Sequence, residues 1–247
     1  MRLTRHNGRA GKHGTYNPKH NDRSFDLENS EHINAELAKK NVYWDCYNGF
    51  RSLAKEELLA DTFEEVEEMF YSSQYRNHVE SQNQRNEKNR HPERNRTTSD
   101  LLKNKKTAPE ETIFQIGTID NHVPPEILLQ VVTDFLVELD TRFGKNVHIL
   151  DWALHLDEGT PHIHERHVFD CENSYGEVAP QQEKALEELG FELPDPTQKP
   201  SKINNRKKTF DSVCRVILFN ITKKYGLDLE EEPEYGGRAY LEKQDYI

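Results

Sequence analysis

The sequence predicts an α+β fold, a central antiparallel sheet with helices packed on it. Two segments carry most of that expectation. Residues 147–154 are apolar and β-prone, and 164–169 can also be extended. The polar stretch 157–161, with its Thr160-Pro161 break, then reads as the turn of an antiparallel hairpin. Before it, Ile127, Leu128, Val131, Val132, Phe135, Leu136 and Leu139 recur at helical spacing. Strands followed by helices, with an antiparallel hairpin at the centre, select an α+β sandwich.

The other elements follow in chain order. Residues 1–26 are polar and contain Gly and Asn, so they read as irregular or extended. A short helix is expected over 31–40. Residues 41–50 carry Tyr43, Trp44, Tyr47 and Phe50 and read as a strand or buried segment. A helix is expected over 52–80, with Leu53, Leu58, Leu59, Phe63, Val66, Met69, Phe70 and Tyr75 as its apolar stripe. Residues 82–106 are nearly devoid of apolar side chains at their start and rich in Asn and Arg. They read as a helix end followed by a mobile basic loop, broken at Pro92. A strand is expected over 112–119. Pro124-Pro125 opens the next helix and Gly144 closes it. Residues 181–189 form a short acidic helix ended by Gly190. Pro194 to Pro200 bend the chain, and 209–225 form a helix closed by Gly226, so 194–247 reads as a helical extension.

Composition bounds the function. The chain has 247 residues, 34% hydrophobic and 31% charged, and reads as one domain over 1–247. No apolar run reaches membrane-spanning length, and the basic start lacks a secretory apolar core. Cys46, Cys171 and Cys214 are too scattered for a disulfide framework or a zinc knuckle, so the expected compartment is cytoplasmic. The net charge of −11 argues against a protein that simply coats nucleic acid. The bases nevertheless cluster in 2–23, 85–106 and 199–208, and the acids in 56–68, 183–192 and 228–234. A polyanion could be held by the first set while the second faces away; solvated faces are the plain alternative.

The chemistry concentrates in residues 155–164, which place His155, His162 and His164 beside Asp157 and Glu158. Residues two apart on a strand share a face, so His162 and His164 point together and His155 meets them from the neighbouring strand. Three neutral imidazoles converging in this way make a metal site with open positions. Along the first strand Leu150, Trp152 and Leu154 should pack against helices, with Asp151, Ala153 and His155 on the active face. Regular alternation puts Arg166 on that face too. It leaves Glu165 and His167 towards the core, a conflict that a bulge or strand edge would relieve.

The run His155-Leu156-Asp157-Glu158-Gly159-Thr160-Pro161-His162-Ile163-His164 resembles the metal motif of MobV-type (Pre/Mob) plasmid mobilisation relaxases, His-x-Asp-Glu-x-Thr-Pro-His-x-His, at every fixed position. Upstream, Lys19-His20-Asn21-Asp22-Arg23 is similar to the family's Lys-His-Asn-Glu-Arg, with His32-Ile33-Asn34 and Asn41 following at similar intervals. The resemblance covers about residues 17–190. It implies an HUH-endonuclease sandwich that nicks single-stranded DNA at an origin-like hairpin and keeps the 5′-phosphate on the enzyme. It assigns His155, His162 and His164 to a divalent metal, Mn2+ or Mg2+, and His20 to the nucleophile. Glu158 would orient the ligands or activate His20. Lys19, Asn21, Arg23 and Arg166 would contact DNA, and a homodimer is compatible with it. Tyr16, Tyr43 and Tyr47 are alternative nucleophiles. The sequence departs from the family at Glu165-Arg166-His167-Val168-Phe169-Asp170 and in its acidity. Two other readings stay open: a divergent HUH protein that binds without nicking, and an unrelated metal hydrolase or oxygenase with a His-triad hairpin.

Overall fold

The computed structural model describes residues 1–8, 10, 11, 14, 15, 17–26, 30, 33–51 and 61–230. Tyr16, His32, the expected helix start at 52–60 and the tail 231–247 lie outside the described residues.

Among the described residues nine strands and seven helices alternate as the α+β expectation requires. The N-terminal part holds β1 (Leu3–Gly8), β2 (Ala10–Gly11), β3 (Gly14–Thr15), α1 (Pro18–Asn21) and α2 (Ala35–Ala38). Next come β4 (Val42–Asp45), β5 (Gly49–Phe50), α3 (Phe63–Lys88), α4 (Thr98–Lys103), β6 (Glu110–Ile116) and α5 (Pro125–Phe143). The chain continues through β7 (Val147–His155), β8 (His162–Glu172), β9 (Val178–Pro180), α6 (Gln182–Glu188) and α7 (Arg206–Lys224). Seven strands form one sheet in the order β1-β6-β8-β7-β4-β5, with β9 also on β8. All its pairings are antiparallel.

Helices cover both faces. On one, α5, α6 and α7 bury Trp152, Leu154, Ile163, Phe169 and Cys171 of the sheet beneath Leu128, Val132, Phe135, Leu186, Phe210 and Cys214. On the other, Phe70, Tyr71, Tyr75 and Val79 of α3 pack with Leu101 of α4 over Leu150 and Val168. Gly144 caps α5 as expected, because a Cβ there would lie 2.5 Å from the Asp140 carbonyl oxygen.

Three expectations are corrected. Leu150 lies on the α3 face rather than with Trp152 and Leu154, because the β7–β8 register shifts between Ile149 and Asp151. That bulge places two successive residues on one side of the sheet. Glu165 and His167 do face the core, and the β7 bulge opposite His167 does not turn them away. His167 Nδ1 instead sits 3.0 Å from Glu165, and Glu110 beside them is held by Lys207 at 2.5 Å and by Asn7 at 2.8 Å. The segment 82–106 is mostly helical, since α3 runs to Lys88 and a 3-10 turn at Pro92–Arg94 leads into α4. Thr97 and Asp100 cap α4 reciprocally, each side chain bonding the other's backbone N–H.

Candidate metal and nucleophile site

The hairpin β7–β8 builds the floor. His155 pairs directly with His162, and Ala153 with His164, so the three imidazoles rise from one face at the end of the two central strands. Ring centroids are 4.9 Å apart for His155–His164 and His162–His164, and 5.3 Å for His155–His162. The loop between the strands is pinned from below, where the Asn41 side chain accepts the Leu156 N–H at 2.8 Å.

His20 reaches the cluster on α1. Asn17 caps that turn through the Lys19 N–H, and Pro18 starts it with a preset φ. One residue beyond the C-cap, Arg23 turns the chain with a φ of 59°. The His20 ring stands 5.3 Å from His164 and 5.6 Å from His155 by centroid. Its side chain keeps 38% exposure, whereas His155 is fully buried.

Hydrogen bonds fix which nitrogen each imidazole offers. His155 Nε2–H donates to the Asn21 carbonyl at 2.7 Å, His162 Nδ1–H to the Thr160 carbonyl at 2.8 Å, and His164 Nδ1–H to the Glu111 carboxylate at 2.9 Å. Each ring therefore turns a lone pair inward. The Nδ1 of His155 is buried with no hydrogen-bond partner among the described residues, as a lone pair reserved for a cation would be. Burial pushes the His155 and His164 pKa values well below the usual imidazole range, with neighbouring imidazoles adding to it. Burial, then Arg23, lowers that of His20. Burial works to raise the Glu158 pKa, but His162, the Arg23 hydrogen bond and His20 hold it at about 2. Neutral imidazoles with an ionised carboxylate suit a divalent ion such as Mn2+.

Among the described residues, two sets of donors converge within 4.8 Å: His155, Glu158 and His162, and His20, His155 and His164. Neither is the three-imidazole set expected from the motif. Glu158 enters because the loop folds it back, with Oε2 4.0 Å from His162 Nε2 and Oε1 3.6 Å from His20 Nε2.

The expected DNA contacts are placed differently. Arg23 is buried, donating to both Asp157 oxygens at 2.8 Å and to Glu158 at 2.8 Å. Asn21 is buried, with Nδ2 3.2 Å from Glu111. Arg166 lies on the expected face but is buried against Glu67 of α3 and 3.5 Å from Glu111. These three side chains are thus buried and engaged by acidic partners inside the protein. Lys19 alone of the four is largely accessible, paired 2.9 Å from Glu64. Tyr43 packs edge-on against Phe63, and Tyr47 hydrogen-bonds Ser73 at 3.3 Å. Glu111 and Glu67 were missed as site residues. Glu111 pairs across the sheet with Arg166 on the face of His164, and Glu67 is a buried acid of α3; no local motif marks either.

No protein-family model and no curated protein matches the sequence. Solved structures do. The fold is similar to that of solved relaxase domains of the MobV type, whose motifs the sequence resembles. The chain is similar over its whole length to two structures of the MobM relaxase domain (MOBV; Mob_Pre), each Mn-bound and in complex with plasmid pMV158 oriT DNA. Both superpose with a TM-score of 0.53 at 13% identity, covering 97% and 98% of those chains. No helix among the described residues is long and apolar enough to cross a membrane.

Proposed function

We propose that this protein is a metal-dependent relaxase that nicks and rejoins single-stranded DNA at an origin-like hairpin in the cytoplasm. The observation that carries this reading is the buried lone pair of His155, aimed at Glu158 and His162 with His20 beside them. His155, Glu158 and His162 would hold the divalent ion, Mn2+ or Mg2+, with His164 completing the wall beside His20. Bound there, such an ion supplies polarisation of the scissile phosphate and offsets charge in the transition state.

The remaining work falls to the chain's own residues. His20 is kept neutral by burial and by Arg23, so a ring nitrogen has a lone pair for phosphorus. As the N–P bond forms, the P–O3′ bond breaks and the 3′ oxygen leaves with a proton from water. The imidazole ring gains positive charge in that step, and the Glu158 carboxylate 3.6 Å from Nε2 stabilises it. The phosphoramidate reverses when the 3′-hydroxyl returns. Arg23 holds Glu158 in place for both duties and bonds the His20 carbonyl at 2.7 Å.

The test is incubation of purified protein with supercoiled and single-stranded DNA from its own genetic neighbourhood, with Mn2+. A nicked product carrying covalent protein is expected, lost in His20→Ala and on chelation. Unaltered cleavage by His20→Ala would point to an unrelated metal hydrolase. Mn2+ binding without any adduct on that DNA would instead support a divergent, non-nicking protein. The net charge of −11 and the internal engagement of Arg23 and Arg166 speak for that second reading.

A further inference from the structure

Away from the imidazole cluster, one strongly charged surface is the far end of α3 with the turn and helix that follow. Residues 85–106 hold eight Lys and Arg against three acids, a local +5 in a chain of net −11. Lys88, Arg90, Arg96, Lys103 and Lys105 are exposed and take part in no ion pair among the described residues. Exposed Arg94 meets Glu93 at 3.8 Å. Like charges at this density repel, and a purely solvated run would gain nothing from being ordered.

This run is nevertheless built. Asn83 and Arg96 bond reciprocally, Nδ2 to the Arg96 carbonyl at 2.8 Å and the Arg96 N–H to Oδ1 at 2.9 Å. Asn86 is buried between Gln82 and Asn95 at 3.1 and 3.4 Å, and its carbonyl accepts the His91 N–H at 2.8 Å. Arg90 is held at a φ of 62° to make the turn. Side-chain amides thus add to the apolar anchor at Leu101 and leave the cations outward. Residues 85–106 contain no Phe, Tyr or Trp. The nearby exposed Tyr175 ring is covered by the Arg85 guanidinium at 4.0 Å, which itself pairs with Glu177. Single strands are held by stacking bases on aromatic rings together with charge. A cationic surface without such rings matches a paired backbone, whose bases are already stacked.

Its position is also defined. The N-terminus of α3 abuts the nucleophile turn, where the Phe63 N–H donates to Asp22 at 2.7 Å. Twenty-six residues at ~1.5 Å each put the basic end ~39 Å along the helix. One turn of duplex DNA covers ~34 Å. We propose that the basic end of α3 and α4 grips the phosphate backbone of a DNA duplex arm about one turn from the strand held at the histidines. The proposal rests on the relaxase reading and names the surface of this chain that would hold the paired part of its substrate.

The test is fluorescence anisotropy against salt for wild type and for Lys88→Ala/Arg90→Ala/Arg94→Ala/Arg96→Ala. Probes are a hairpin with a stem of ~10 base pairs, a blunt duplex of the same stem, and a single strand of equal length without self-pairing. Each lost phosphate contact lowers the log–log salt slope by ~0.9. The variant should lose three to four in slope, and at least tenfold in affinity near 0.1 M salt, on hairpin and blunt duplex alike. Single-strand binding should hold within about twofold, and circular dichroism and melting should match wild type. Equal losses on the single strand, or none on the duplexes, overturns the proposal. Loss on the hairpin alone also overturns it in favour of loop recognition. None of these readings requires cleavage, so absence of nicking sinks the relaxase reading without touching this result.

Discussion

Glu158 is the residue whose environment does most to define the site. It is ionised, held by Arg23, and has one oxygen facing His20 and the other facing His162. The motif spacing alone favoured three imidazoles as the ligand set, because strand alternation aims His162 and His164 together. What alternation does not encode is where the loop after His155 returns its carboxylate, nor that Glu111 claims the Nδ1 of His164. The two possible ligand sets make different predictions for Mn2+ affinity measured by calorimetry. With His155, Glu158 and His162 as ligands, Glu158→Gln removes the only anionic donor and should weaken binding by more than a hundredfold. His164→Ala should then cost the ten- to hundredfold typical of an orienting neighbour. The reverse ranking would assign the ion to a set that contains His164, either His155, His162 and His164 or His20, His155 and His164.

At the scale of elements, the hairpin, α5 and α7 were legible because each advertises itself locally, through β-prone apolar residues, helical spacing, or Pro and Gly at the ends. β1 was not, since Leu3 to Gly8 has no apolar alternation and becomes a strand only by pairing with β6. The capped α4 was legible in principle from Thr97 and Asp100 but was hidden by the surrounding charge. The bulge in β7 carries no Gly or Pro. It turns Asp151 towards Glu67, and both are fully buried beside Arg166. Burial, then the Glu67 charge, pushes the Asp151 pKa well above the usual carboxylate range, and burial raises that of Glu67 against the opposing Arg166. The sign follows from linkage. A carboxyl with a raised folded pKa contributes stability below its unfolded value near ~4, and that contribution is lost as pH climbs through the folded value. The loss is ~1.4 kcal/mol for each pH unit separating the folded value from the unfolded one. Asp151→Asn keeps the shape and removes that proton, so its melting temperature should gain on wild type between pH 5 and pH 8. A constant difference over that range would show that the pair does not share the burden of the buried charge.

Over the whole molecule, the imidazole cluster is where the fold gives up stability for reactivity. Apolar side chains fill the layers on either side of the sheet, whereas the cluster holds a buried nitrogen without a partner among the described residues, which costs ~1–3 kcal/mol if nothing binds it. A bound ion restores that and adds its own affinity to the folded state alone. At a hundred times its dissociation constant, Mn2+ should stabilise by ~2.7 kcal/mol. For a domain of this size each kcal/mol is ~2–4 °C, so the melting temperature should rise by ~5–10 °C. Glu158→Gln should flatten the response. His20→Ala is the informative variant, because α1 joins the cluster from the N-terminal side while the other ligands belong to one hairpin. If the ion sits on the hairpin, His20→Ala keeps the Mn2+-dependent rise although it abolishes chemistry. If the rise disappears with His20, the ion bridges the N-terminal turn to the sheet, and the nucleophile would then be a ligand rather than a free base. Scanning calorimetry on the two variants with and without Mn2+ separates these cases without any DNA present.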